Sequence, residues 1–219
     1  MPADQHTTYL ADQFAHGQRS FKGLQLAGSD LARLDLSACA FADCNLTGAD
    51  LSASTLTDTS WVSCRMAGAK IGSIDGVDIR FHNCDLSNTD WTRSRLNAAK
   101  FSQSKLTGAN FADCTLIGAD FQECRLVSAF LPAVSFRRKS LSNLDFSDAE
   151  LRGCDFREAI FDGCSLRGAS LRSCRFEGAD LRGCDLGPLK LNEASILKGA
   201  VISKSQATDL LRNLGLQVL

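Results

Sequence analysis

Ten cysteines, three histidines and twenty-five carboxylates are the side chains in this chain that could do chemistry. Thiols and imidazoles at short spacing bind zinc, facing thiols form disulfides, and paired carboxylates move protons. Zinc ligands come as cysteine pairs two to four residues apart, whereas the closest pair here, Cys39 and Cys44, is five apart. His6, His16 and His82 are scattered, and they read as surface or end residues rather than ligands or bases. The aspartates recur at a fixed interval, so their pairs follow from periodicity and not from acid–base machinery. No glycine-rich loop follows a strand and opens a helix. The expectation is a chain that is no enzyme and carries no metal or cofactor.

Composition narrows the classes further. Twenty-five acidic and twenty-four basic residues leave a net charge of −1, so no basic surplus advertises direct nucleic-acid binding. No apolar run reaches the roughly 20 residues of a membrane helix. Met1 to Gly17 has neither a basic start nor an apolar stretch, which makes the cytoplasm the expected location.

The elements that must position these residues show themselves in a period of five. Of the 37 positions ending in 1 or 6, from Phe21 to Val201, all but Gly76 are large and apolar. Eleven of the thirteen phenylalanines and both tryptophans, Trp61 and Trp91, lie in this register. Positions two before each centre are mostly small, and they contain every cysteine: 39, 44, 64, 84, 114, 124, 154, 164, 174 and 184. Residues two apart on an extended segment point the same way. Each unit therefore reads in, out, in, and then two residues round a corner. A helix needs a period of 3.6 and a flat strand a period of 2; five is neither.

Runs such as Ala49-Asp50-Leu51-Ser52-Ala53, Ala109-Asn110-Phe111-Ala112-Asp113 and Ala179-Asp180-Leu181-Arg182-Gly183 resemble the pentapeptide-repeat family. The resemblance implies an all-β solenoid: a right-handed quadrilateral parallel β-helix of about nine coils, 20 residues per turn. At a strand spacing of about 4.8 Å the rod would be roughly 43 Å long. Expected boundaries are an N-terminal cap over 1–20, holding Tyr9, Leu10 and Phe14, the β-helix over 21–202, and a C-terminal helix and strand over 203–219. Stacked thiols such as Cys154 and Cys174, or Cys164 and Cys184, would be near enough to bridge. With no export signal they read as reduced core residues.

Two segments break rank. At 74–79 the centre is Gly76 and the small column holds Ile74 and Ile79; at 130–139 it holds Val134 and Lys139. Either the coil tolerates them as local irregularity, or they form a kink used in recognition.

Ser203-Lys204-Ser205-Gln206 has the spacing of a helix capping box, Gly215 suits the position just past a helix end, and Leu216-Gln217-Val218-Leu219 reads as a short strand. This segment resembles that of the quinolone-resistance members of the family, the Qnr and MfpA type, whose C-terminal helix and strand join two copies. The resemblance implies a homodimer through Ala207, Leu210, Leu211, Leu214, Leu216 and Val218. It also implies binding to type II topoisomerases, DNA gyrase and topoisomerase IV, by DNA mimicry, with protection from quinolone or peptide-like poisons. With 20 residues per turn, Asp30, Asp50, Asp90, Asn110 and Glu150 share one outward column, interrupted by Lys70, Phe130 and Ser170. The acidic members are the expected partner-binding residues. Near-neutral charge departs from an acidic DNA mimic, and Arg152, Arg157, Arg167, Arg172 and Arg182 each follow a centre where they could neutralise an adjacent acid. A structural scaffold that presents one face to an unrelated protein is the alternative.

Overall fold

The computed structural model describes residues 8–10, 12–13, 16–188, 195–213 and 215–218. It is a parallel β-solenoid with a short C-terminal helix, and it divides into two compact units, Met1–Arg125 and Leu126–Leu219.

In the first unit, six short strands stack in one parallel sheet in sequence order: β1 (Ser20–Lys22), β2 (Ala40–Ala42), β3 (Ser60–Val62), β4 (Arg80–His82), β5 (Lys100–Ser102) and β6 (Asp120–Gln122). The register is 20 residues throughout, with Phe21 opposite Phe41 and Phe41 opposite Trp61. The other faces repeat it as single bridges, such as Gln25 with Asn45, Asp30 with Asp50 and Asp35 with Thr55. Four faces per turn are thus observed. Asn45 N donates to Leu24 O at 2.8 Å and Leu46 N to Arg65 O at 2.6 Å, so each coil bonds to the coils on both sides.

The corners have a property that the period alone did not disclose. Every position ending in 3 or 8 from 23 to 178 has a positive φ, between 50° and 76°. In many units the centre's carbonyl also accepts from the amide three residues on, as Leu46 O does from Ala49 N at 3.0 Å. That is a type II turn, whose third residue requires φ > 0.

The centres fill the axis. Phe21, Phe41, Trp61, Phe81, Phe101 and Phe121 form one continuous ring stack, with centroids 4.1 to 6.1 Å apart. A tryptophan fits because a threonine occupies the small slot before it: Trp61 Nε1 donates to Thr59 Oγ1 at 3.0 Å and Trp91 Nε1 to Thr89 Oγ1 at 2.7 Å. The threonines in turn donate to Leu56 O and Leu86 O.

The second unit has the same design in three strands, β7 (Ser140–Ser142), β8 (Ile160–Ser165) and β9 (Asp180–Asp185). Phe136, Phe156 and Phe176 stack at 5.1 and 5.0 Å. The last turn departs from the expected register. Asp180 pairs with Val201, 21 residues on, and a 3₁₀ turn at Ser195–Leu197 puts Leu197 inside. Ile196 is half-buried and Val201 is 48% exposed. The extra residue shifts the in–out alternation by one place. Leu191 lies outside the described residues.

Both irregular segments are absorbed. A Cβ on Gly76 would lie 3.0 Å from Ile74 Cδ1 and 3.1 Å from Leu96 Cδ2. Buried Ile74, with Leu96, fills the volume that the glycine vacates, Ile79 is buried as well, and Gly76 N still reaches Arg95 O at 2.8 Å. In the second segment Val134 is buried and Lys139 half-buried, while Lys139 N keeps its turn bond to Phe136 O. Leu10 of the expected cap is buried and Tyr9 exposed; Phe14 lies outside the described residues.

Candidate interaction surfaces

All ten thiols are free, and all but the half-buried Cys114 are buried. Seven of them donate to carbonyls of the neighbouring coil, as Cys154 does to Leu131 O at 3.1 Å and Cys174 to Leu151 O at 3.0 Å. Burial pushes the Cys124 and Cys174 thiols up to about 11 and Cys154 to about 12. Thiols of this kind are inert core residues. Among the described residues, no group of three or more His, Cys, Asp or Glu could hold a metal ion. Nor is any described helix long and apolar enough to cross a membrane.

The acidic column of the first unit runs Asp30, Asp50, Lys70, Asp90, Asn110 along successive bridges. Each acidic or amide member spends one oxygen on its own corner. Asp30 Oδ1 accepts from Ala32 N at 3.0 Å, Asp50 Oδ1 from Ser52 N at 2.9 Å, Asp90 Oδ1 from Thr92 N at 3.0 Å and Asn110 Oδ1 from Ala112 N at 3.0 Å. This is the local bond that favours Asp and Asn at turns. Asp90 also accepts from the Thr92 hydroxyl. The Ser52 side chain holds Asp50's carboxyl below the usual carboxylate range. Lys70 Nζ stands 4.0 Å from Asp50 Oδ2, the lysine largely in solvent and the aspartate half-buried. Glu150, the remaining site residue, belongs to the second unit, between Phe130 and Ser170, so it does not join the three aspartates within one unit.

The second unit keeps a serine-held aspartate, with Asp145 accepting from Ser147 N and Oγ, and adds arginine clamps. Arg157 clamps Asp155 at 2.8 and 2.6 Å, and Arg182 clamps Asp180 at 2.9 and 2.6 Å. Both carboxyls are thereby held near 2. Arg167 pairs with Asp185 of the next coil at 3.0 Å. Arg152 and Arg172 have no carboxylate partner among the described residues.

The C-terminal helix, α1 (Lys204–Asn213), begins with a reciprocal capping box. Ser203 Oγ accepts from Gln206 N at 3.2 Å, and Gln206 Oε1 accepts from Ser203 N at 2.7 Å. The Gln206 amide nitrogen then donates to Leu181 O and Cys184 O, both at 2.7 Å, and pins the helix to β9. Gly215, at φ 79°, closes the far end, where Gly215 N reaches Arg212 O at 2.8 Å and Leu216 N reaches Leu211 O at 3.2 Å. These two bonds are a Schellman motif. No side chain of α1 is buried. Ala207 and Leu210 are half-buried, Leu211 is 41% and Leu216 54% exposed, Val218 is half-buried, and Leu214 lies outside the described residues. The expected strand is not formed among the described residues, where 216–218 pair with no neighbouring strand. An extended segment becomes a strand only where a partner takes its amides and carbonyls.

Family models for pentapeptide repeats match in series. One matches residues 149–187 with eight copies, and a pentapeptide repeat region matches 18–91, 74–135 and 89–163. The chain belongs to the pentapeptide-repeat family. Comparison with curated proteins gave no match. Among solved structures, this pentapeptide-repeat protein is similar to full-length QnrB1, a plasmid-mediated fluoroquinolone resistance protein. The TM-score is 0.79 at 22% identity, covering 90% of this chain and 100% of that one. It is also similar to HetL, a pentapeptide-repeat protein involved in heterocyst differentiation regulation from the cyanobacterium Nostoc, with TM-score 0.59, 22% identity and coverage of 87% and 92%. At these identities the likeness is one of fold.

Proposed function

We propose that this pentapeptide-repeat protein binds a type II topoisomerase, DNA gyrase or topoisomerase IV, in the place of its DNA, and so shields the enzyme from quinolone or peptide-like poisons. The carrying observation is the column of Asp30, Asp50 and Asp90, whose carboxylates stand on one face of stacked coils. Duplex DNA presents about one negative charge per 1.7 Å of axis, and a ladder of carboxylates offers a sparser field of the same sign. The fold likeness to a fluoroquinolone resistance protein points the same way. The exposed Leu211 and Leu216 give a second copy of the chain an apolar surface to cover, which supports a C-terminal homodimer. A cytoplasmic location is part of this reading.

The test is gyrase supercoiling with purified protein. Asp30→Asn, Asp50→Asn and Asp90→Asn together keep the corner bonds, because an amide oxygen accepts as a carboxylate does, while three charges are removed. Inhibition of supercoiling and relief of a poison should both weaken about tenfold or more, and more steeply at low salt. Equal potency of the triple variant, or no inhibition by the native chain at micromolar concentration, refutes the reading. For the dimer, Leu211→Arg with Leu216→Arg should yield a monomer by light scattering; an unchanged mass removes the C-terminal interface.

One observation favours the scaffold alternative. Every one of these aspartates already holds a corner amide of its own chain, a structural duty that suffices to explain the residue type.

A further inference from the structure

Lys70 interrupts the acidic column, and the consequence is chemical rather than decorative. In neighbouring coils the residue before the centre accepts from the amide two places on: Asp30 from Ala32, Asp50 from Ser52, Asp90 from Thr92 and Asn110 from Ala112. In the Lys70 coil the corresponding amide is Gly72 N. An ammonium has no lone pair to offer, and Gly72 N has no acceptor among the described residues. Glycine also leaves room outside it. A depression of about 210 Å³ opens there, lined by Lys70, Gly72, Asp90, Arg93 and the hydroxyl residues Ser52 and Thr92 among others.

The charges around it are arranged for an anion. The Lys70 side chain is 71% exposed and its ammonium only loosely held by Asp50 at 4.0 Å. Arg93 is exposed, and its guanidinium has no partner among the described residues. Asp90, the one carboxylate in the lining, is already turned to Thr92 N, to the Thr92 hydroxyl and to Asn110 Nδ2. What the coil lacks is an oxygen of the kind that Asp50 and Asp90 supply on either side.

We propose that the Gly72 corner is a binding slot for a carboxylate from outside the chain, seated on Gly72 N–H between Lys70 and Arg93 in the place where adjacent coils put their own aspartate. In a complex, an Asp or Glu of the partner protein supplies it. The contact deepens the topoisomerase reading, since it lies on the same column, and it gives that face one socket of opposite polarity that duplex DNA does not have.

The slot can be tested without any partner. Sodium acetate titrated into ¹⁵N-labelled protein, against sodium chloride at matched ionic strength, should move the Gly72 amide saturably. The capped amides of Ala32 and Ala112 should stay still. Lys70→Gln with Arg93→Gln should weaken the apparent affinity about tenfold or more, because two charge-assisted bonds are lost. Lys70→Asp is the sharper variant. It provides the missing oxygen from within, so Gly72 should start at the shifted position and acetate should no longer move it, with melting temperature unchanged or raised. Identical shifts in chloride, a response to inorganic phosphate with none to acetate, or an acetate response that survives Lys70→Asp each overturn the proposal. If acetate binds Gly72 but gyrase is not inhibited, the slot stands and the topoisomerase reading falls. If gyrase is inhibited while acetate leaves Gly72 unmoved, the reverse holds.

Discussion

The two units are built from one repeat but differ in their balance of charge. Residues 1–125 carry 14 acidic and 11 basic side chains, a net of −3, and residues 126–219 carry 11 and 13, a net of +2. In the first, Asp35 rests on Ser37 and Asp85 on Ser87, as Asp145 does on Ser147 in the second, while Asp75 pairs with Arg95 of the next coil at 3.1 Å. In the second, Asp155 and Asp180 are gripped by the arginine two places on. The same corner slot therefore leaves its carboxylate open or neutralises it, according to the residue on the far side of the centre and the one stacked on it in the next coil. The near-zero net charge of the whole chain hides this asymmetry.

If the contrast is confined to the surface, the cores should be equally intolerant. Phe111→Asp in the first unit and Phe156→Asp in the second each place an unpaired charge among buried rings, at a cost of several kcal/mol. Both variants should be insoluble or lose their circular-dichroism melt, whereas Thr92→Asp, at an outward slot, should stay folded. Survival of either core variant would break the common design.

Next in size comes Gly183→Ala. The added Cβ would lie 2.8 Å from Phe161 O, a backbone atom that cannot swing away, and overpacking of this kind costs roughly 1–3 kcal/mol. Urea unfolding should show a lower midpoint with an unchanged slope.

A third comparison uses acid. Asp155 and Asp180 titrate near 2 in the folded chain because of their arginine hydrogen bonds, against about 3.9 when unfolded. A depressed folded pKa contributes stability that is complete above about 4 and is lost as pH falls through about 2. Arg157→Gln should return Asp155 towards the ordinary value, read by carboxyl ¹³C shifts, and make unfolding begin at higher pH. Asp155 remaining near 2 in that variant would dissolve the distinction between the units.

The smallest effects belong to the corners. Ala53 sits at φ 58° and Gly153 at φ 76°. Left-handed backbone costs an L-residue about 1–2 kcal/mol, and glycine's extra chain entropy returns part of that. Ala53→Gly should raise the melting temperature slightly and Gly153→Ala lower it. Matching shifts of the same sign would mean that these corners are not equivalent.

Much of this was legible in the sequence. Phe, Leu and Trp at an interval of five gave the axis, and cysteine confined to the small column gave its burial, because side-chain volume and polarity are written directly in the letters. Ser203, Gln206 and Gly215 were equally readable, since caps depend on residues close in the chain. The left-handed corners were missed, although Gly, Asp and Asn crowd the positions ending in 3 and 8, because Arg33, Ala38 and Arg138 adopt the same backbone under tertiary constraint. The register beyond Leu186 also misled: Leu191, Ile196 and Val201 keep the interval, but one additional residue before Val201 alters the pairing. The acidic column was visible as charge. Its structural duty was not, because a hydrogen bond to one's own corner leaves no separate mark in the sequence.

The way Gln206 ends the stack bears on solubility. In earlier coils the carbonyl of Cys44 accepts from Arg65 N, and that of Cys64 from Asp85 N. Cys184 O is in the same column and, with no regular coil beyond it, would be an open invitation to the strand of another molecule, the route by which sheet edges seed fibres. Gln206 occupies Cys184 O and Leu181 O together with one amide group. A solenoid can in principle add coils indefinitely, since each new turn finds the same template as the last. In this chain, residues 199–201 take part of that edge and one side chain takes two more of its carbonyls, held in place by the helix cap of which it is itself a part.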